Sequence, residues 1–158
     1  VPSRALYPVV TLYTEAWNRW TRRSRDDRRN KNMEIMSYEK KSKELTLIPK
    51  YEFYMEYMLE IILLHLPRTE KFSIGTEFKS VMYDTFKNIM FIEKAKPQER
   101  IYYLNRIDSG LNVQRALLRI MKKHKWIDEK KFDYAMNTLI RQVGAILGGL
   151  IKYYAKNG

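Results

Sequence analysis

Residues 97–125 read PQERIYYLNRIDSGLNVQRALLRIMKKHK and predict one long helix. At 100° per residue, five apolar residues fall on one arc of that helix, namely Leu104, Ile107, Leu111, Leu118 and Met121. Four more apolar residues, Tyr102, Val113, Leu117 and Ile120, widen the arc to roughly 200°, about twice the width that a surface helix uses. We therefore expect two hydrophobic neighbours, one of them a second subunit that contacts Leu117 and Ile120.

The strip of this helix that remains outside the apolar arc is basic. Residues 97–125 carry seven basic side chains against Glu99 and Asp108. Such an excess on one helix is typical of a surface that binds an anionic partner. We predict phosphate contacts from Arg115, Arg119, Lys122 and Lys123, with Arg100 and Lys125 as secondary candidates. The alternative is an ordinary solvated face, or an ion pair between Arg115 and a carboxylate of another subunit.

The composition of the whole chain agrees with one basic, folded domain. The 158 residues are 45% hydrophobic, carry a formal net charge of +12 and include no cysteine. Disulfide and thiolate chemistry are thereby excluded. The longest apolar run, residues 61–66, is far shorter than the ~18–20 residues of a membrane-spanning helix. We expect a cytoplasmic protein without a membrane partner.

The 3.6-residue periodicity predicts four helices. The first runs from Leu47 or Pro49 to Leu66, and the second runs from Ser73–Gly75 to Lys94–Lys96. The third covers 97–125, and the fourth begins after an N-cap at Asp128. The residues of the second helix that are expected to face inward are Phe78, Val81, Met82, Phe86, Ile89 and Met90. The connections between them are short, so neighbouring helices should be antiparallel. The expected fold class is all-α, an up-down-up-down four-helix bundle.

Residues 1–32 differ from the rest of the chain, and we place a domain boundary between them and the bundle domain at 33–158. An apolar stripe over 9–20 predicts a short amphipathic helix, and the Arg-rich residues 22–32 resemble a linker. This segment is either a native docking element or the product of a fusion or an upstream in-frame stretch. We favour the second interpretation, because the domain from Met33 onward is complete without it.

A catalytic or metal site is not expected. The two histidines, His65 and His124, lie far apart in the sequence. His65 has no carboxylate at i+3 or i+4, and the one at i+4 of His124, Asp128, is the predicted N-cap of the next helix and so makes no metal pair on one helix face. Glu52, Glu56 and Glu60 form an i, i+4, i+8 ladder, which is typical of a solvated helix face. The sequence predicts neither an enzyme, nor a cofactor, nor a small-molecule substrate.

Glycines and tyrosines carry two further expectations. Gly144, Gly148 and Gly149 lie inside the last helix, where each glycine costs about 0.5–1 kcal/mol relative to alanine. We interpret them as positions where another helix approaches closely, within the bundle or from a neighbouring subunit. The tyrosines at helical spacing, Tyr102 and Tyr103 among them, are more typical of core or interface packing than of stacking on bases.

Three segments resemble a known family. LPRTEKFSIG at 66–75, the stretch from RIDSGL at 106–111 to RALLRI at 115–120, and GAILGGLIK at 144–152 are similar to motifs of the accessory variability determinant (Avd) family of diversity-generating retroelements. This family is related to four-helix proteins encoded in ribosomal RNA intervening sequences. The resemblance covers about residues 45–154, and Leu150 stands where the family commonly has tryptophan.

The resemblance implies a homopentamer of four-helix bundles with a basic surface. Such proteins, encoded by bacteria, archaea or phages, bind nucleic acid and the retroelement's reverse transcriptase, and they are required for mutagenic copying of a template RNA. The expected partners are therefore RNA or an RNA–DNA hybrid, a reverse transcriptase, and further copies of the chain. The alternative function is a protein-interaction scaffold whose basic face binds an acidic protein.

Overall fold

A computed structural model describes residues 46–157, and all regular structure among them is helical. The helices are α1 (residues 46–65, with a π-helical segment at Met58–Ile62 and a 3₁₀ turn at Leu63–His65), α2 (Arg68–Lys71), α3 (Ile74–Ile92), α4 (Pro97–Lys123) and α5 (Glu129–Asp133, continued by π-helical Tyr134–Ile140 and α-helical Arg141–Asn157). In this part of the chain, the four predicted helices are confirmed. The boundary between 32 and 33 and the predicted N-terminal helix lie outside the described residues.

The starts of α4 and α5 follow the predicted signals. Pro97 is the first residue of α4, where its missing N–H group costs nothing. The Glu99 carboxylate accepts a hydrogen bond from the Lys96 backbone N–H at 3.3 Å. At α5, the Asp128 carboxylate accepts from the Lys130 backbone N–H at 3.4 Å. Both caps satisfy backbone donors that the first turn of a helix leaves unpaired.

The α1–α3 and α3–α4 connections differ in part from prediction. Pro67 follows α1 as expected, but the single-turn helix α2, Arg68–Lys71, was not predicted. Helix α3 ends at Ile92, so residues 94–96 lie in the turn to α4 rather than in the last turn of α3.

Helix α4 ends in a Schellman motif. The backbone N–H of Trp126 donates to the Met121 carbonyl at 3.0 Å, and that of Lys125 donates to the Lys122 carbonyl at 2.9 Å. Lys125 has a φ of 60°, the left-handed conformation that this motif requires and that glycine adopts most easily. The α4–α5 turn is therefore fixed by its backbone hydrogen bonds.

All four long helices contribute to one hydrophobic core. Its deeply buried members include Tyr54 and Ile62 from α1, Phe78 and Met82 from α3, Leu111 and Leu118 from α4, and Val143 and Leu147 from α5. The five α4 residues predicted on the inward arc are all fully buried. The inward placement of Met90 was wrong: it is 46% exposed, because the buried face of α3 is centred on Phe78, Met82 and Ile89.

A polar network crosses the core and joins α1, α3 and α4. The Tyr54 hydroxyl donates to Gln114 Oε1 at 2.8 Å, and Gln114 Nε2 donates to the Tyr51 hydroxyl at 3.1 Å. Tyr51 in turn donates to the Met82 carbonyl at 2.8 Å. No buried side-chain polar atom among residues 46–156 lacks a partner. Such a saturated network favours one register of the three helices over slipped alternatives.

The same burial changes the acidity of the two phenols. Removal from water raises the pKa of Tyr51 and of Tyr54, because the charged phenolate is poorly stabilised in the core. For Tyr54, the charge of the nearby Arg115 opposes this rise. Both tyrosines therefore remain neutral donors throughout the physiological pH range.

Contacts between the ends of helices show how α4 and α5 lie. Arg100, in the first turn of α4, binds Tyr154 near the end of α5. Lys122, in the last turn of α4, contacts Glu129 and Phe132 at the start of α5.

No helix in the described part of the chain has the length and apolar character needed to cross a membrane.

Candidate nucleic-acid interface

The four residues predicted to contact phosphate lie on the last three turns of α4. We call Arg115, Arg119, Lys122 and Lys123 the basic ridge. Arg119, Lys122 and Lys123 are exposed, and Arg115 is half-buried. At 1.5 Å per residue, the ridge extends roughly 12 Å along the helix axis. Its four cations are therefore close enough to contact one stretch of phosphate backbone.

Arg115 is held by neutral groups. Its Nη1 donates to Asn112 Oδ1 at 2.8 Å, one turn earlier on α4. Its Nη2 lies against α5, only 2.8 Å from the place where a Cβ atom at Gly144 would be. The glycine thus lets the guanidinium lie against the backbone of α5. No carboxylate among the described residues is ion-paired with Arg115, so its charge is not neutralised there.

Arg119 and Lys123 form no ion pair with another described residue. Lys122 differs from them, because its Nζ lies 3.8 Å from a Glu129 carboxylate oxygen and 4.6 Å from the centroid of the Phe132 ring. Glu129 is itself highly exposed, so this pair is weak and screened by salt. Lys122 therefore belongs to the basic ridge and also contacts the start of α5.

The two secondary candidates lie elsewhere and make different contacts. Arg100 is at the opposite end of α4, where its Nε donates to the Ala95 carbonyl at 3.1 Å and its Nη1 binds the Tyr154 hydroxyl. These bonds join the α3–α4 turn to α5. Lys125 is exposed, beyond the last turn of α4, in the left-handed position of the Schellman motif. The structure places Lys125 beside the ridge and Arg100 away from it.

The residues expected at helix or subunit contacts differ in burial and in how close other atoms come to them. Leu117 is half-buried against the core, whereas Ile120 is 43% exposed. Gly144 and Gly148 are both half-buried, yet a Cβ at Gly148 would have no atom within 4 Å among the described residues. The close approach expected at Gly144 is made by an arginine side chain, and none is found at Gly148 among residues 46–156. Gly149 is half-buried.

The outer part of the wide apolar arc of α4 faces away from the core. Tyr102 is 56% exposed and Val113 is 44% exposed, and they share this side with Ile120. We call these three residues the outer strip. Among the described residues, no element covers them to the degree that it covers the five core residues of α4. Within the described residues α4 packs against both α3 and α5, and the outer strip lies outside those two contacts. The second subunit expected at this helix stays a prediction.

An aromatic and charged cluster on the same side of the molecule was not predicted from the sequence. Phe91 at the end of α3 lies beside Tyr103, with ring centroids 5.8 Å apart, and Tyr103 lies beside Tyr102 at 5.4 Å. The Arg106 guanidinium donates to the Tyr102 hydroxyl at 3.0 Å and pairs with Asp84 of α3 at 3.7 Å. The consecutive Tyr102 and Tyr103 were the available signal, since adjacent helical residues cannot both point into the core.

One groove and one acidic ladder in the described part of the chain both lack a nucleophile beside a base. A groove of about 230 Å³ between α1 and α5 is lined by Pro49, Lys50, Phe53, Tyr134, Thr138, Leu139 and Gln142, of which only the lysine is charged. The ladder of Glu52, Glu56 and Glu60 is exposed on α1. Within residues 46–156, no group of three His, Asp or Glu side chains could hold a metal ion.

Comparison with known proteins finds a match to a family model. A family model described as bAvd-like matches residues 45–154, a range that includes α2, α3, α4 and the whole basic ridge. No curated protein and no solved structure matches the chain. The matched range covers more than half of the chain and agrees with the range of the motif resemblance.

Proposed function

This chain belongs to the bAvd-like family, and from that premise we propose that it is a non-enzymatic accessory subunit of a diversity-generating retroelement. In this role it binds RNA or an RNA–DNA hybrid and docks the reverse transcriptase during mutagenic cDNA synthesis. The family is one of accessory, non-catalytic proteins. That membership supports the accessory role, and the charge distribution on α4 supports nucleic acid as the ligand.

The observation that carries nucleic-acid binding is the charge state of the basic ridge. Arg115 is bonded to a neutral amide, while Arg119 and Lys123 are exposed without an ion pair to any described residue. Three cations in roughly 12 Å of helix can each replace a counterion on a phosphate backbone. A solvated face of ordinary composition would intersperse acidic residues, and between Asn112 and Lys125 this helix and its cap carry none.

We further propose that copies of the chain assemble through Val113 and Ile120, the aliphatic part of the outer strip of α4. The strip exposes aliphatic side chains at Val113 and Ile120, and exposed apolar patches on soluble proteins commonly mark interaction sites. The contacts of Arg100 with Tyr154 and of Lys122 with Glu129 support an antiparallel α4–α5 pair, as an up-down-up-down bundle requires. A homopentamer would repeat the ridge and increase affinity through multivalency.

Charge reversal on the ridge tests this function. We expect Arg115→Glu combined with Arg119→Glu to lower RNA affinity by at least about tenfold and to leave the native mass of the oligomer unchanged. The slope of log affinity against log salt should become shallower by about 1.4–1.8, since each lost phosphate contact contributes about 0.7–0.9. Filter binding or fluorescence anisotropy across a salt titration measures both quantities.

A matched control uses the same change of net charge elsewhere. Lys152 and Lys156 are exposed, lie four residues apart on α5 and are near the end that contacts Arg100. Reversing both to glutamate should weaken binding only slightly and keep the salt slope. Equal losses in the two double variants would mean that net charge, not the ridge, governs binding.

The scaffold alternative has one observation in its favour. Lys122 already contacts a carboxylate at Glu129, so the ridge can accept acidic side chains. If the basic face binds an acidic protein, that protein should stay bound in an excess of RNA, and the Arg115→Glu/Arg119→Glu variant should lose it. If the ridge binds nucleic acid, polyanions should compete only for the RNA and not for a protein docked elsewhere on the chain.

A further inference from the structure

Three aromatic side chains form a contiguous, exposed surface where α3 ends and α4 begins. Phe91 is 53% exposed and Tyr102 is 56% exposed, and the half-buried Tyr103 lies between them. The ring centroid of Tyr103 is 5.8 Å from that of Phe91 and 5.4 Å from that of Tyr102. We call these three residues the aromatic platform. A contiguous exposed patch of this kind, unlike a single exposed side chain, commonly marks an interaction site.

The platform is held in place by polar contacts. Arg106 donates to the Tyr102 hydroxyl at 3.0 Å, and its guanidinium carbon is 5.7 Å from the centroid of that ring. Asp84 on α3 lies 3.7 Å from the same guanidinium and joins the two helices at this point. The charges of Arg106 and Asp84 balance each other. Their contacts restrain the orientation of Tyr102 and reduce the entropy that a stacking ligand must overcome.

Basic side chains flank the platform on its α3 side. Lys87 lies one helical turn before Phe91, and Lys94 follows Phe91 by three residues in the turn, where its backbone N–H donates to the Phe91 carbonyl at 3.1 Å. Both lysines are exposed and form no ion pair with a described residue. Aromatic faces beside cations are the combination with which proteins bind single-stranded nucleic acid.

We propose that the aromatic platform binds unpaired bases of single-stranded nucleic acid by stacking on Phe91 and Tyr102, while Lys87 and Lys94 contact the adjacent phosphates. This site is distinct from the basic ridge, because Tyr102 and Arg115 are thirteen residues apart on α4, roughly 20 Å along the axis. The proposal rests on the proposed function in so far as the protein binds nucleic acid at all. It adds a preference for unpaired bases that phosphate contacts alone cannot give.

Charge and side-chain type favour nucleic acid over a second copy of the chain at this end of the outer strip. The aliphatic residues Val113 and Ile120 lie further along α4, where no aromatic ring is exposed. At the platform, two uncompensated lysines would have to be desolvated or paired against an identical basic surface. Like charges brought together at such a contact oppose association, whereas phosphates relieve the repulsion.

The test replaces the aromatic rings but keeps their apolar character. Phe91→Leu combined with Tyr102→Leu removes stacking at two exposed positions and leaves the core unchanged. We expect affinity for a single-stranded RNA oligonucleotide of mixed sequence to fall by about tenfold or more. Affinity for the same sequence as a perfect duplex should change by less than about twofold, because duplex bases are not available for stacking.

A conservative pair serves as the matched control. Phe91→Tyr combined with Tyr102→Phe keeps two aromatic faces, so single-strand affinity should stay close to that of the wild type. Native mass is recorded for every variant. Loss of the oligomer in the leucine pair would overturn the proposal in favour of a subunit contact at this surface.

The outcomes separate this proposal from the proposed function. If the leucine pair binds single strands as tightly as the wild type while the Arg115→Glu/Arg119→Glu variant loses binding, the platform is overturned and the ridge stands. If the wild-type protein binds neither single-stranded nor duplex nucleic acid, both proposals fail. If single-strand affinity falls in the leucine pair and duplex affinity does not, the platform is supported.

Discussion

Alanine substitution at Gly144 and at Gly148 gives a matched pair that separates contacts inside the chain from contacts between copies. The two glycines are four residues apart on one face of α5, and both are half-buried. A methyl group at 144 would lie 2.8 Å from Arg115 Nη2, whereas a methyl group at 148 would have no atom of another described helix within 4 Å. The backbone benefit is the same at both positions, since alanine is favoured over glycine in a helix interior by about 0.5–1 kcal/mol.

The expected magnitudes differ for a physical reason. In the isolated chain, Gly148→Ala should raise the free energy of unfolding by about 1 kcal/mol, because no atom has to move. At Gly144 the guanidinium must retreat by about half an ångström to reach ordinary contact distance. It has a flexible side chain with which to do so, and a weakened bond to Asn112 costs about 1 kcal/mol at most. Gly144→Ala should therefore be close to neutral.

The assay combines urea denaturation at two protein concentrations with native mass measurement and RNA titration. If a second copy packs against Gly148, Gly148→Ala introduces a clash that lowers the mass of the assembly and makes its stability concentration-dependent. An increase in stability with unchanged mass would refute the role of this glycine in subunit contact. Gly144→Ala should weaken RNA binding by displacing Arg115, and Gly148→Ala should not if it keeps the assembly.

Three further changes test the interior and the α4–α5 turn. Gly110→Ala should lower the free energy of unfolding by about 2 kcal/mol, because its methyl group would overlap the buried Thr85 hydroxyl, and adding Thr85→Ala should recover part of that loss in urea denaturation. Lys125→Gly should raise the free energy of unfolding by about 1 kcal/mol, since glycine adopts the φ of 60° at this position without strain. If thermal denaturation shows no gain, contacts of the lysine side chain offset the backbone strain. Burial raises the pKa of Tyr51 and of Tyr54 above that of a solvated tyrosine, so the unfolded chain releases these protons first. Stability is then fully present below about pH 10 and decreases above it by about 1.4 kcal/mol per pH unit for each tyrosine, a slope that Tyr51→Phe should reduce.

Helix positions and the core face of α4 could be predicted from sequence because they depend on local periodicity. A 3.6-residue pattern identifies which side chains share a face, and the five core residues of α4 were assigned correctly on that basis. The π-helical segments at Met58–Ile62 and Tyr134–Ile140 had no such signal. A single π turn shifts the hydrogen-bond ladder by one residue without a distinctive composition. Met90 shows the limit, since a neighbour of a buried position differs from it by only 100° of rotation.

Which of the predicted basic side chains are available to a ligand depends on tertiary contacts. Exposure of Arg119, Lys122 and Lys123 agrees with the outward position assigned from the helical wheel. The contact between Arg100 and Tyr154 joins residues 54 positions apart, and no local pattern reports such a pairing. The same applies to the position of Arg115 Nη2 against Gly144. Sequence identifies the charge and the face, while the tertiary contacts decide which cations remain free for a ligand.

The wide apolar arc of α4 is divided into a buried half and an exposed half. Its inner half is core, and its outer half is exposed from Tyr102 to Ile120. At 1.5 Å per residue this outer strip is roughly 27 Å long, enough to contact two partners at once. The aromatic end lies beside unpaired lysines and suits an anionic ligand with flat bases, whereas Val113 and Ile120 offer no ring on which a base could stack. Leucine at Phe91 and Tyr102 should therefore affect nucleic acid without affecting assembly, and a polar residue at Ile120 should do the reverse.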